Sequence, residues 1–136
     1  MKRLILALVV ILISANSLYA AKFNWTEKML NPTRTVEFYI DKKSVKRINN
    51  FVYYWSLANI IKPLKDAPEL GSSFSYNKID CADMGYQTII FIAYTGKMGN
   101  GEILFHDSEN PDKEEDKRFD PKNSVAYITH DKLCNY

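Results

Sequence analysis

The two cysteines, Cys81 and Cys134, have the most definite chemistry in this 136-residue sequence. They lie 53 positions apart, without the C-x-x-C spacing of a redox pair or the added histidines of a zinc site. In an exported protein, two such cysteines most simply form one structural disulfide. Loop-closure entropy makes a cross-link over this length worth about 4 kcal/mol. We therefore predict a Cys81–Cys134 disulfide and no metal site.

Other residues that could do chemistry are few and scattered. His106 and His130 are expected to be surface or half-buried residues, because two histidines are too few for a histidine-rich metal site. Asp41 and Asp80 have no spacing that would pair their carboxylates, and each is expected to end a strand. The sequence contains no G-x-S-x-G elbow, no H-E-x-x-H motif and no nucleophilic cysteine motif. It therefore predicts a non-enzymatic protein with no catalytic residue and no cofactor.

Two loops resemble ligand sites only superficially. Residues 96–101 hold three glycines and a lysine, but not in the order that a phosphate-binding loop requires, so they predict a hairpin turn. Residues 108–118 hold five acidic side chains without the alternating oxygen ligands and the glycine of a calcium loop. They predict a solvated loop.

The densest basic group is the candidate binding site. It consists of Lys42, Lys43, Lys46 and Arg47, and it is followed closely by residues 53–55, which read Tyr-Tyr-Trp. Arginine and large aromatic side chains are favoured at protein-binding hot spots. The group therefore predicts a contact patch for an anionic or protein partner. The alternative is a solvated connection beside a core strand.

The first twenty residues predict a cleaved secretory signal peptide. Met1-Lys2-Arg3 is followed by ten apolar residues, then a short polar stretch, and a small residue at Ala20. An apolar run of this length rises about 15 Å as a helix, whereas a bilayer core is about 30 Å thick. We expect residues 21–136 to form a single exported domain in the periplasm, at the cell surface or outside the cell. Since only Lys2 and Arg3 precede them, residues 21–136 hold 16 basic and 16 acidic side chains, and nucleic-acid binding is not expected.

The remaining pattern predicts short strands and one terminal helix. Hydrophobic residues make up 46% and charged residues 25%, as in globular proteins, which excludes a disordered or collagen-like chain. Alternating or β-branched segments separated by turn residues predict six strands, at residues 23–26, 35–40, 51–57, 73–81, 86–94 and 102–106. The segment 86–94 is the most apolar and is expected to be a central strand buried on both faces. A helix is expected over residues 125–134, capped by Asn123 or Ser124 and facing the sheet through Tyr127 and Cys134. The fold class is α+β: an antiparallel sheet with a C-terminal helix on one face, held by the disulfide.

An ordered set of residues between about Thr35 and Cys134 resembles the bacterial surface-adhesin protein E family. The set comprises Tyr39-Ile40-Asp41, Ser44, Trp55, Asp80-Cys81, Tyr86, Tyr94-x-Gly96-x-Met98-Gly99-x-Gly101, Pro121-x-x-Ser124 and Cys134. The resemblance implies the same disulfide-tied sheet and helix, a Gram-negative source, and an exposed adhesin that binds host extracellular-matrix proteins, with dimerisation as a further expectation. The chain departs from the family in having no lipid-attachment cysteine after the apolar run. The alternative function is therefore a soluble periplasmic protein that binds a small ligand or an envelope partner.

Overall fold

The computed structural model describes residues 23–136, and the predicted signal peptide with its cleavage site lies outside the described residues. The described part contains seven strands and one α-helix. They are β1 (Trp25–Leu30), β2 (Val36–Asp41), β3 (Lys46–Ile48), β4 (Phe51–Ile60), β5 (Ser72–Asp80), β6 (Gly85–Tyr94), β7 (Ile103–Ser108) and α1 (Val125–Cys134). Short 3-10 turns lie at Lys42–Ser44, Lys97–Gly99 and Glu114–Asp116.

All seven strands form one antiparallel sheet in the order β1-β2-β4-β5-β6-β7, with β3 also paired to β4. β2 pairs with residues 56–60 of β4, and β3 pairs with residues 51–53 of the same strand. β2, the 3-10 turn and β3 therefore form one interrupted strand along a single edge of β4. The predicted α+β class is confirmed, but a seventh strand, β3, was missed. Its three residues are too few and too charged to show an alternating pattern.

Strands β4 and β5, of ten and nine residues, lie in the middle of the sheet. A two-residue turn with Asn49 at φ 53° joins β3 to β4, and asparagine tolerates this left-handed conformation. The prediction that residues 86–94 form the central strand is wrong. They belong to β6, next to the last strand of the described sheet, and its middle residues 88–92 are only half-buried. An unbroken apolar run does not distinguish complete burial from partial cover on both faces.

Helix α1 covers one face of the sheet, which we call the helix face. Leu133 of α1 packs against a buried cluster of Ile40, Val52, Tyr54 and Ile79. Ser124, one of the two predicted caps, accepts a hydrogen bond from the backbone N–H of Tyr127 at 3.1 Å. The predicted disulfide is confirmed: Cys81, which follows β5, is bonded to Cys134 at the end of α1, with the Cα atoms 5.6 Å apart. The end of the helix is therefore fixed covalently to the sheet.

The opposite side of the sheet, which we call the open face, carries its own core. Leu57, Phe74 and Tyr94 are buried there away from α1, and the 3-10 turn at Lys97–Gly99 and partly buried aromatic and aliphatic side chains surround them. Successive side chains of a strand point to opposite faces, so β4 places Tyr54 on the helix face and Tyr53 and Trp55 on the open face. Aromatic side chains therefore contribute to the cores on both faces of the sheet.

Candidate binding groove on the open face

The open face displays a continuous row of aromatic rings. Neighbouring rings have centroids between 4.9 and 6.2 Å apart. The row consists of Tyr53, Tyr76, Trp55, Phe23, Trp25, Phe74 and Tyr94. Phe74 and Tyr94 are buried, whereas Tyr53, Trp55 and Tyr76 are half-buried and still reach the surface. Stacked and tilted rings at these distances form a rigid apolar platform.

A groove of about 540 Å³ runs across this platform. Its apolar lining comes from five side chains on four segments: Phe23, Trp55, Tyr76, Ile90 and Ile92. Its polar lining comes from Asp41, Lys43, Ser44, Lys46 and His106. The two lysines and the histidine are exposed, and Asp41 is buried. The open face therefore combines an aromatic floor with a basic rim.

The 3-10 turn at Lys42–Ser44 positions the basic rim. Asp41 Oδ1 accepts a hydrogen bond from the backbone N–H of Lys43 at 3.1 Å, and the Ser44 hydroxyl donates to the Asp41 carbonyl at 2.6 Å. The same Ser44 oxygen accepts from the backbone N–H of Trp55 at 2.9 Å. Asp41 and Ser44 thus fix the rim to the strand that supplies the floor. Asp41 ends β2 as expected, and its role here is structural.

The structure divides the four basic residues predicted as a patch between two locations. Lys43 and Lys46 line the groove. The Arg47 guanidinium instead donates hydrogen bonds to the carbonyl oxygens of Leu133 and Cys134 at the end of α1, and the Lys42 ammonium lies 5.9 Å from the centre of the Tyr136 ring. A cation that bonds the last carbonyls of a helix also complements its dipole. Lys43 and Lys46 are therefore the members of the group that the groove can use.

The aromatic residues near the basic group are divided in the same way. Tyr53 and Trp55 lie on the open face, but Tyr54 is buried beneath α1, where its hydroxyl lies 3.0 Å from His130 Nε2. Burial raises the pKa of the Tyr54 phenol well above its usual value. Period-two alternation in β4 is a signal that could have separated Tyr54 from its neighbours. Tyr76, Ile90, Ile92 and His106 were missed because they join the groove only through strand pairing.

The residues that line the groove are suited to contact with a binding partner. Among residues 23–136, no group of three or more histidine, cysteine, aspartate or glutamate side chains is arranged to hold a metal ion. Desolvation raises the pKa of the half-buried Tyr53 phenol, which keeps this ring neutral as a contact surface. An apolar or aromatic side chain can stack on the floor while a carboxylate meets Lys43 or Lys46 on the rim.

The described residues form a small disulfide-tied antiparallel sheet, with a helix on one face and an aromatic groove on the other. The sequence model of the family described as Surface-adhesin protein E matches residues 25–135, so the chain belongs to the Surface-adhesin protein E family. The protein is accordingly a surface-adhesin-like module. None of the helices within residues 23–136 is long and apolar enough to cross a membrane.

Solved structures of Haemophilus influenzae protein E have the same fold. Crystal form II of that protein matches with a TM-score of 0.51 and 19% identity, covering 79% of this chain and 87% of the other. The structure of protein E from non-typeable Haemophilus influenzae matches with a TM-score of 0.50 and 21% identity, covering 82% and 84%. A search of curated protein sequences found no match.

Proposed function

We propose that the protein is an exported, non-enzymatic module that binds protein partners through the open-face groove. The observation that carries this proposal is the groove itself, in which exposed Lys43 and Lys46 stand beside the half-buried rings of Trp55 and Tyr76. Partly buried tyrosine and tryptophan rings are typical of interface hot spots. The two lysines add long-range attraction for an acidic partner. Membership of the adhesin family supports the same function.

The partner is proposed to be a host extracellular-matrix protein. A segment with an acidic residue next to an aromatic or aliphatic one fits the groove, because its carboxylate would meet the lysine rim and its apolar side chain the ring floor. The lysines would mainly steer the encounter and set its salt dependence, while the aromatic contacts would slow dissociation.

A charge-reversal experiment tests the groove directly. The double variant Lys43→Glu/Lys46→Glu is compared with Lys65→Glu/Lys122→Glu, which changes the net charge equally at exposed positions outside the groove lining. Binding is measured by surface plasmon resonance on immobilised matrix proteins such as collagen, fibronectin and laminin. We expect the groove variant to lower the association rate about tenfold at low salt, because two rim cations become anions.

The control variant should bind like the unmodified protein. An equal loss of association rate in the two double variants would contradict binding at the groove. It would show that binding depends only on net charge. Binding to none of the matrix proteins would contradict the host-matrix part of the proposal.

Location in the envelope separates surface adhesion from the alternative periplasmic function. Protease added to intact cells should degrade a surface-displayed protein, and an antibody should label it. Complete protection from protease, together with release by osmotic shock, would favour a periplasmic protein that binds an envelope partner and has no contact with the host.

A further inference from the structure

The floor of the open-face groove is made by inner strands of the sheet, which limits how a partner segment can bind. Trp55 belongs to β4, Tyr76 to β5, and Ile90 and Ile92 to β6. Each of these strands is paired with a neighbouring strand on both sides. Strand addition needs the unpaired backbone groups of a sheet edge, whereas this floor lies inside the described sheet. A segment lying on the floor is therefore recognised through side chains and not through a backbone ladder.

Three half-buried rings give the open face a closely spaced apolar surface. The ring centroids of Trp55 and Tyr76 are 5.1 Å apart, with the ring planes inclined by 33°. Those of Tyr53 and Tyr76 are 6.2 Å apart, with the planes inclined by 28°. Inserting another side chain between two rings needs a gap of about 7 Å, twice the contact distance of carbon atoms. A partner segment must therefore pack across several rings rather than place one side chain between them.

A polyproline II segment satisfies both conditions. Its backbone has no internal hydrogen bonds and is fully solvated, so it requires no ladder. Proline-rich segments dock in aromatic-lined grooves and lose little conformational entropy there, because their helix exists before binding. A flexible segment would have to order its backbone as it binds, at a cost in affinity. The floor therefore favours a proline-rich segment.

The lysine rim selects the charge of the segment and the position of that charge. Lys46 is paired in register with Tyr53, so it stands beside the ring row, and Lys43 lines the same groove. Asp41, the acidic residue of the lining, is buried and accepts a hydrogen bond from the backbone N–H of Lys43. A polyproline II helix has about three residues per turn, so every third side chain lies along the same edge. Acidic residues on one edge can meet the rim while prolines on the next edge contact the rings.

We propose that the groove binds a proline-rich segment of a protein partner, in the polyproline II conformation and with an acidic residue at every third position. The inference rests on the groove being the protein-binding site, and it adds the conformation and the residue pattern of the bound segment. The rings supply most of the contact area, and the two lysines distinguish an acidic segment from a basic one.

Four synthetic nonapeptides with blocked ends test the proposal on the disulfide-bonded protein. The first has three repeats of Pro-Pro-Glu. The second has three repeats of Gly-Gly-Glu and keeps the charges on a flexible backbone. The third groups the same residues as the first into six prolines followed by three glutamates, and the fourth has three repeats of Pro-Pro-Lys. We expect the Pro-Pro-Glu peptide to bind about tenfold more tightly than the glycine peptide and about threefold more tightly than the grouped peptide.

Binding is followed by NMR through the indole N–H resonances of the two tryptophans. Trp55 lines the groove, whereas the indole nitrogen of Trp25 is buried and serves as an internal reference. The Pro-Pro-Glu peptide should shift the Trp55 resonance more than the Trp25 resonance. The Pro-Pro-Lys peptide should shift neither, because the rim repels it.

A ring deletion locates the bound peptide. Tyr76→Leu removes a ring from the floor and keeps an apolar side chain, and the matched control Phe119→Leu removes a ring that is 62% exposed and outside the groove lining. The affinity for the Pro-Pro-Glu peptide should fall about fivefold in the first variant and stay unchanged in the second.

The charge-reversal variant Lys43→Glu/Lys46→Glu tests the rim in the same assay. It should invert the preference, so that the Pro-Pro-Lys peptide binds more tightly than the Pro-Pro-Glu peptide. Circular dichroism shows whether each variant folds. If Tyr76→Leu does not fold, this inversion decides the location, since both substitutions lie at exposed positions.

Equal affinity for the Pro-Pro-Glu and Gly-Gly-Glu peptides would overturn the polyproline conformation, and equal affinity for the grouped peptide would overturn the pattern of every third residue. Unchanged preference in the charge-reversal variant would place the peptide on another surface. Binding of whole matrix proteins is measured separately by surface plasmon resonance. The peptides can therefore fail while the groove still binds a matrix protein, and the two proposals are distinguished.

Discussion

His130 shows where a residue's role depends on tertiary contacts. The sequence predicted a surface or half-buried histidine, but the structure buries it between α1 and the sheet, with its ring 4.8 Å from Tyr86 and 6.1 Å from Tyr54. The helical segment around it contains polar residues on several sides, so no clean apolar stripe marks the buried side. The prediction for His130 was therefore wrong.

Burial of His130 predicts an acid-dependent loss of stability. The folded protein holds the pKa near 4, against about 6.5 in the unfolded chain, so it favours the neutral ring. This contribution of up to about 3 kcal/mol is complete above pH 6.5 and is lost as the pH falls towards 4. We expect an NMR titration of the His130 ring to show a midpoint near pH 4 or none before acid unfolding.

A site-resolved titration is needed because Asp120 acts in the opposite direction. Burial raises the pKa of its carboxyl, whose Oδ1 lies 3.5 Å from the Tyr86 hydroxyl, so its protonation favours the folded state as the pH falls. A His130 midpoint near pH 6.5 would contradict the burial of this ring.

At the level of elements, local pattern predicted most of the fold. Six strand positions and α1 follow from alternation, turn residues and a cap, and each lies within a few residues of its predicted bounds. The first strand was predicted too early in the chain: β1 extends from Trp25 to Leu30, whereas residues 23–26 were predicted. β3 and the position of β6 in the sheet depend on which strands become neighbours, and that information is not local.

The candidate site was predictable only in part for the same reason. Lys43 and Lys46 belong to the predicted basic group and Trp55 is close to it in sequence, and the structure places all three at the groove. Tyr76 and His106 come from β5 and β7, which reach the groove through their pairing with neighbouring strands. Arg47 does not line the groove, because α1 ends beside β3 and the guanidinium bonds the last carbonyls of the helix.

The disulfide is expected to stabilise α1 more than the central strands. Removing it in Cys81→Ser/Cys134→Ser should lower the free energy of unfolding by about 4 kcal/mol, as the loop-entropy relation gives for this span. Removing the disulfide should increase the rate of amide hydrogen exchange more in α1 than in β4 and β5, since a ten-residue helix is marginal without tertiary support. Urea unfolding and amide exchange measure these two effects.

Thiol counting provides the control for that experiment. The unmodified protein should show no free thiol under denaturing conditions. Unchanged exchange in α1 after removal of the disulfide would show that Arg47 and core packing hold the helix without it.

For the whole molecule, the sheet separates two environments. The helix face is covered in part by α1, which lines a partly open cavity, whereas the open face presents the aromatic groove. The disulfide and Arg47 both hold the end of α1 at β3 and β5, on the face of the sheet opposite the groove. A large partner can therefore occupy the open face without displacing the helix.

Dimerisation stays a prediction, and β7 is where we expect it. This strand ends the described sheet, and its residues Ile103 and Phe105 are 60% and 54% exposed. An apolar edge strand with free backbone groups is a template for pairing with a second copy. Light scattering coupled to size exclusion should detect a dimer that Phe105→Lys weakens and Ile48→Lys, at an exposed position on β3, does not. A monomer at every concentration would contradict the prediction.

The most direct test of open-face recognition is lysine footprinting of the bound protein. The matrix protein with the highest affinity is mixed with the unmodified chain, the complex is acetylated briefly, and labelling of each lysine is quantified by mass spectrometry. We expect labelling of Lys43 and Lys46 to fall on binding, and labelling of Lys65 and Lys122, outside the groove lining, to stay unchanged. Unchanged labelling of Lys43 and Lys46, with protection of lysines elsewhere, would show that the partner binds another surface.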